Sequence, residues 1–296
     1  MHIVVRQTCG LGNQLFQYAA GRCLAKRYGG SLRVAHELPR WQVQNGQPRT
    51  VLLPKFAICA PIRKVSYFDR LVLSKRPRLA VAARIARASL KVQVIREAPE
   101  QCMSRRDLRI ADGTRIAYIC GFWQDYSIVR EVETELRREL LLLEPASGRN
   151  LQVAQRICES ENAVSIHLRR GDYALFYGEH MLLSKAYYER AISHVLTRNP
   201  RSTFFVFSDD TAFAREWARA HPRTVVVDHN DANLAHEDLR LMSLCRQHII
   251  ANSTFSWWGA WLNPRSDKLV IAPTKWLGFD TVKTTIAVPG WTLLDP

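Results

Sequence analysis

The second half of the chain alternates strictly between two periodicities. Short apolar runs at 163–168, 203–208, 224–228, 248–251 and 268–271 are separated by segments with helical spacing at 185–198, 212–220, 238–245 and 255–262, the first behind Ser184 as a cap. Strands that are apolar on both faces must be covered on both faces. Strands that alternate with helices are joined by crossovers, so the pattern predicts a parallel sheet with helices on either side. Ligands of such sheets lie at the carboxyl ends of the strands. The polar clusters at 167–172, Ser208-Asp209-Asp210, Asp228 and Asn252-Ser253-Thr254 all fall at those ends, so four separate stretches converge on one edge.

The first half is less regular. Residues 2–6 read as a strand, and Gly10-Leu11-Gly12-Asn13-Gln14 leads into a helix in which Leu15, Phe16, Ala19, Ala20, Cys23 and Leu24 recur at helical spacing before Gly29-Gly30 ends it. A second strand at 32–35 completes the start of a βαβ unit. Residues 38–62 are irregular, 78–95 read as a basic helix, 116–119 as a strand before Gly121-Phe122-Trp123-Gln124-Asp125, and 128–143 as a helix. Glu144-Pro145-Ala146-Ser147-Gly148 is the candidate linker. It divides the chain into domains 1–147 and 148–296.

The chemistry concentrates in His167-Leu168-Arg169-Arg170-Gly171-Asp172. Two guanidiniums at a strand end suit a pyrophosphate, because each can hold phosphate oxygens through parallel hydrogen bonds. Asp172 can act as a base or orient one guanidinium. In the first half, Gly10 and Gly12 let backbone approach an anion at a helix N-terminus, and Asn13 and Gln14 add side-chain donors. The dinucleotide fingerprint is incomplete, since Leu15 stands at the third glycine position. Asn252, Ser253, Thr254 and Phe255 open another helix with hydroxyls and an amide, while Trp257, Trp258 and Trp261 read as core packing. Asp209-Asp210 reads as a helix cap and not as a metal site, with Asp209 counted among the candidate donor-binding residues. Of Glu237 and Asp238, either can accept two hydrogen bonds from a guanine edge or serve as a first-turn acidic cap.

Composition narrows the partners. Hydrophobic residues at 47% and charged residues at 23% are those of a globular chain, and seven scattered Cys without a CxxC pair indicate neither a disulfide framework nor a zinc site. A reducing cytoplasm is expected, and no run approaches the roughly 20 apolar residues that span a bilayer. The formal charge is +15, which attracts anions such as nucleic acid, acidic lipid or a phosphorylated small molecule. Much of it lies between Arg63 and Arg96, where Asp69 is the lone acid. There Leu79, Ala83, Ala86 and Leu90 share one helical face and Arg84, Arg87 and Lys91 another, a pattern that can rest on an anionic membrane. A nucleic-acid-binding role is disfavoured, because no RRM-type signature or zinc module accompanies the charge.

Three motifs in order carry a resemblance: the stretch from Gly10 to Ala19, His167-Leu168-Arg169-Arg170-Gly171-Asp172-Tyr173, and the stretch from Asn252 to Asn263. Together they resemble the bacterial α-1,2-fucosyltransferases of glycosyltransferase family 11. The resemblance implies an α/β, GT-B-like fold of two Rossmann-like domains, the first on the acceptor side with its glycine-rich loop facing the cleft, the second binding GDP-fucose. It implies inverting transfer of L-fucose from GDP-β-L-fucose to the 2-hydroxyl of a terminal β-galactoside on a glycan or lipid-linked oligosaccharide, without metal or other cofactor. Arg169, with Arg170 nearby, is then expected to hold the donor pyrophosphate. The motif is shared by fucosyltransferases of other linkages, so linkage stays open. In related α-1,6-fucosyltransferases a Glu occupies the position of Tyr177; here Asp172 ranks first and Glu179 second as base, and an oxocarbenium-like path with a weak base is the alternative.

Overall fold

The computed structural model describes residues 1–38, 43–44, 47–97, 108–171, 178, 181–276 and 286–296. Its strands are β1 His2–Gln7, β2 Ser31–His36, β3 Val43–Gln44, β4 Gln47–Pro48, β5 Ile62–Lys64, β6 Val92–Arg96, β7 Ile116–Cys120, β8 Asn162–Leu168, β9 Ser202–Ser208, β10 Thr224–Val227, β11 Gln247–Ile249, β12 Val270–Pro273 and β13 Thr292–Leu294. Its α-helices are α1 Leu11–Tyr28, α2 Tyr67–Val72, α3 Ala80–Ser89, α4 Tyr126–Glu131, α5 Glu133–Glu139, α6 Gly148–Glu159, α7 Lys185–Arg198, α8 Thr211–Arg219, α9 Ala235–Leu244 and α10 Thr254–Leu262. They form two units, Met1–Pro39 with Phe56–Leu141 and Arg40–Lys55 with Leu142–Pro296. Residues 40–55 thus group with the second unit, although they precede most of the first in the chain.

The first unit has a five-stranded parallel sheet in the order β5-β2-β1-β7-β6. Gly21 lets α1 lie on it: a Cβ there would sit 2.2 Å from Val5 Cγ2 and 2.7 Å from Leu32 Cδ1. Gly29 caps α1 in the left-handed conformation, as the Gly-Gly pair predicts. The expected basic helix over 78–95 is shorter. A 3₁₀ turn at Pro77–Leu79 precedes α3, and Val92–Arg96 is instead a strand paired with β7. Only Ala83 of the expected inner face is fully buried, and Leu79 and Leu90 remain exposed. Arg87 turns inward to donate to the carbonyls of Val72 and Ser74 at the end of α2. The helix expected over 128–143 is broken at Val132 into α4 and α5. At the start of α2, Asp69 is fully buried and accepts from Arg63, from Ser66 and from Tyr118 Oη at 2.5 Å. Burial alone would raise its pKa, but these donors outweigh it and hold the carboxyl well below the usual range.

The second unit carries the predicted sheet, six parallel strands in the order β10-β9-β8-β11-β12-β13. Every residue of β8 is buried, as a strand between two others and two helical layers requires. Trp257, Trp258 and Trp261 are buried and pack edge-on and stacked against one another. Buried His248 joins β11 to its surroundings: Ser165 Oγ lies 2.8 Å from its Nδ1 and Asn263 Nδ2 lies 2.8 Å from its Nε2. Burial, reinforced by Lys268, pushes this imidazole down to about 3.

Candidate functional site

In the second unit the chain builds outward from β8 through β9 to β10, then crosses back to place β11 on the other side of β8. The switch point lies between β8 and β11, where open parallel sheets form their ligand crevice. The segment after β8 supplies Arg169, Arg170 and Gly171; the segment after β11 supplies Asn252, Ser253, Thr254 and Phe255. Phe255 reaches back to His167, with ring centroids 5.7 Å apart.

Asp209, buried at the end of β9, organises the guanidiniums. Its Oδ2 lies 2.9 Å from Arg169 Nη1, and its Oδ1 accepts from the Arg170 amide at 2.9 Å. Gly171 makes this approach feasible, because a Cβ there would lie 2.5 Å from Asp209 Oδ2. Arg170 stacks over the Phe213 ring at 4.0 Å and sits 3.9 Å from Asp210. Asp210 caps α8 through the Phe213 amide at 3.0 Å, so both neighbouring carboxylates are engaged by guanidiniums and backbone. His167 is buried and held neutral: burial, then the adjacent Arg169 charge, pushes it down to about 3. Its Nδ1 has no hydrogen-bond partner among the described residues. Tyr188 donates to the His167 carbonyl at 3.0 Å.

Ser253 caps α10 by accepting from the Phe255 amide at 3.3 Å, and Asn252 Nδ2 donates to the Met181 carbonyl at 3.0 Å. Asp238 lies in the first turn of α9 and accepts from Asn230 at 2.7 Å. Loss of water around its carboxyl pushes it up to about 7, with Glu237 adding and the Asn230 amide opposing. Glu237 is taken up by Arg240 at 2.8 Å. Asp172 and Glu179 lie outside the described residues.

The glycine-rich loop belongs to the first unit's own switch point, between β1 and β7. Gly10 stands at the N-cap of α1 and accepts from the amides of Asn13 and Gln14, both at 3.0 Å; Gly12 is buried in the first turn. Gln14, expected to face a ligand, is fully buried and donates to the Cys9 carbonyl at 2.9 Å. Asn13 Oδ1 accepts from Gln124 at 3.0 Å.

A family model described as Glycosyl transferase family 11 matches residues 3–295. The chain belongs to glycosyl transferase family 11. This family 11 chain is 30% identical over 311 residues to the O-antigen biosynthesis glycosyltransferase WbnK of Escherichia coli, covering 95% of the chain and 97% of WbnK. It is 30% identical over 285 residues to an Escherichia coli α-1,2-colitosyltransferase, covering 93% and 92%. Among solved structures it resembles the NodZ α-1,6-fucosyltransferase, known from Bradyrhizobium, in crystals soaked with GDP-fucose: TM-score 0.53, 18% identity, 89% of this chain and 92% of that one. The two-sheet architecture is therefore that of the GT-B class.

Within the family 11 chain, sequence reading brought together Arg169, Arg170, Asp209 and the 252–255 segment, which the structure does join at one sheet edge. It missed Phe213, whose ring lies under Arg170, and Asn230, which binds Asp238; neither sits in a recognisable motif. It also missed Glu97, at the end of a strand concealed within a basic run.

Proposed function

We propose that this family 11 glycosyltransferase transfers L-fucose from GDP-β-L-fucose to the 2-hydroxyl of a terminal β-galactoside with inversion and without metal, in assembly of an O-antigen-type glycan. The observation that carries this reading is the Arg169–Asp209 pair at the switch point of the second unit. A guanidinium presents its N–H donors in a planar fork that matches phosphate oxygens, and the carboxylate fixes the orientation of that fork. As GDP departs, charge accumulates on the β-phosphate; in this proposal Arg169, Arg170 and the amides opening α10 stabilise it, which is the work a divalent ion does elsewhere. Ser253 and Thr254 add hydroxyls there. Asp238 is the candidate for the guanine edge, because Glu237 is already paired with Arg240. The base is assigned to Asp172, with Glu179 second.

The test is GDP release and fucoside formation from GDP-fucose and a panel of β-galactosides in EDTA. Removing one preorganised charge from the leaving group costs about 3 kcal/mol, so Arg169→Ala is expected to lose about a hundredfold or more in turnover with an unchanged circular dichroism spectrum. Wild-type turnover in that variant refutes the clamp. Colitosyl transfer is the second reading, favoured by the 30% identity to an α-1,2-colitosyltransferase; competition between the two GDP-sugars decides it, and NMR of the product gives the linkage.

Peripheral contact with anionic lipid belongs to the same proposal. No helix among the described residues is long and apolar enough to cross a membrane. The outer face of α3, however, exposes Val81 by 72% and Ile85 by 60%, beside Arg78 and Arg84, in a stretch without a carboxylate from 70 to 96. Sedimentation with phosphatidylglycerol vesicles, absent with phosphatidylcholine alone, is expected; no binding to either at low salt removes the idea.

A further inference from the structure

The switch point of the first unit holds a second built feature. After β7 the chain turns through Gly121, at φ 149°, and Trp123, at φ 55°, a left-handed conformation uncommon for a residue with a bulky side chain. Glu97, at the end of the neighbouring β6, accepts from the Phe122 amide at 2.5 Å and the Trp123 amide at 3.2 Å. Gly121 permits that grip, since a Cβ there would lie 2.4 Å from Glu97 Cβ. Gln17 donates to the Gly121 carbonyl at 3.0 Å, and Gln124 ties the turn to Asn13. The Trp123 side chain is buried, whereas Phe122 between these anchors is 42% exposed. A strained turn fixed from three sides that nevertheless leaves an aromatic ring in water is the kind of feature retained at ligand sites. Its polar groups bond one another and fix the ring, so the surface the turn offers to a ligand is the aromatic face itself.

We propose that Phe122 is the platform on which the acceptor pyranoside stacks its apolar C–H face, and that Glu97 is a positioning residue that holds the ring in place. The identity of the sugar, a β-galactoside, rests on the fucosyl-transfer reading; the platform itself rests on the turn. Aromatic side chains with a few placed polar groups are common in the lining of small-molecule sites.

Two measurements test the proposal. In steady-state transfer, Phe122→Ala is expected to raise the acceptor KM at least tenfold while the GDP-fucose KM and the melting temperature stay at wild-type values, and Phe122→Tyr to retain the wild-type acceptor KM. Glu97→Ala is expected to raise the acceptor KM as well, and Glu97→Gln, which keeps an acceptor oxygen for the two amides, to restore most of it. An acceptor KM within twofold of wild type in Phe122→Ala overturns the platform. Collapse of kcat at unchanged acceptor KM in Glu97→Gln overturns the positioning role in favour of proton transfer. Saturation-transfer NMR with methyl β-galactoside reads the platform without donor: signal in wild type that is lost in Phe122→Ala supports it even if GDP-fucose is not consumed, an outcome that would overturn the fucosyl-transfer reading alone. No signal from wild type, or equal signal in both, overturns the platform.

Discussion

Gly171→Ala puts the geometry of the proposed donor site to a quantitative test. The new Cβ would lie 2.5 Å from Asp209 Oδ2 and 2.9 Å from Asp209 Cγ, so carboxylate and turn must separate by about 1 Å to reach normal contact. That carboxylate is fixed on one side by Arg169 at 2.9 Å and on the other by the Arg170 amide at 2.9 Å. Movement therefore weakens a buried ion pair or strains the turn, and overpacking of this kind costs roughly 2–3 kcal/mol. Asp209→Ala, which leaves the largely buried Arg169 guanidinium without this compensation, costs about 3 kcal/mol. In the double variant the clash disappears, because Asp209 Cβ, the nearest atom left, is 3.5 Å away. The pair should thus cost about as much as Asp209→Ala alone, a coupling on the order of 2 kcal/mol. Urea unfolding of the four proteins gives the cycle, and calorimetric titration with GDP shows whether affinity falls in step. Additive losses, or a Gly171→Ala protein with wild-type stability and GDP affinity, would refute the argument.

Two further substitutions probe charge inside the fold. Asp69→Asn should lose on the order of 2 kcal/mol at pH 7; a carboxyl held below its unfolded value stabilises above about pH 4 and forfeits that contribution as pH falls, so the difference in urea midpoint should close below about pH 4. Asp238→Asn should do the reverse: a carboxyl raised to about 7 makes the folded state bind more protons than the unfolded one from about pH 4 to 7, so wild-type stability declines across that window and the variant should melt higher than wild type at pH 8 but equally at pH 4.

The sheet of the second unit was legible because β8 and β9 are buried on both faces and announce it with unbroken apolar runs, and Ser184, Asp210 and Ser253 mark helix starts with side chains that do cap them. The convergence of Arg169, Asp209 and the 252–255 segment followed from strand ends alone. Less could be read where tertiary contacts overrule local pattern. Val92–Arg96 has the residues of a strand, but the basic helical pattern running into it from residue 78 suggested a continuous helix; pairing with β7 decides the matter. Gln14 looks like a ligand donor until the Cys9 carbonyl is seen to need it. Glu97 and Gly171 carry their meaning entirely in a neighbour distant in sequence, and no spacing rule reports that.

The order of strands in the second unit also bears on how the protein is made. β8 lies between β9 and β11, yet the chain completes β9 and β10 on one side before it returns to lay β11 on the other. Until that return, the crevice beside β8 has a single wall: the guanidinium segment exists and its facing helix, α10, does not. A nascent or partly unfolded chain that ends before β11 can form a local three-stranded layer but lacks one wall of the proposed donor site. Under the proposed donor reading, nucleotide acts as a late lock that draws the equilibrium toward the completed unit and leaves earlier intermediates unaffected.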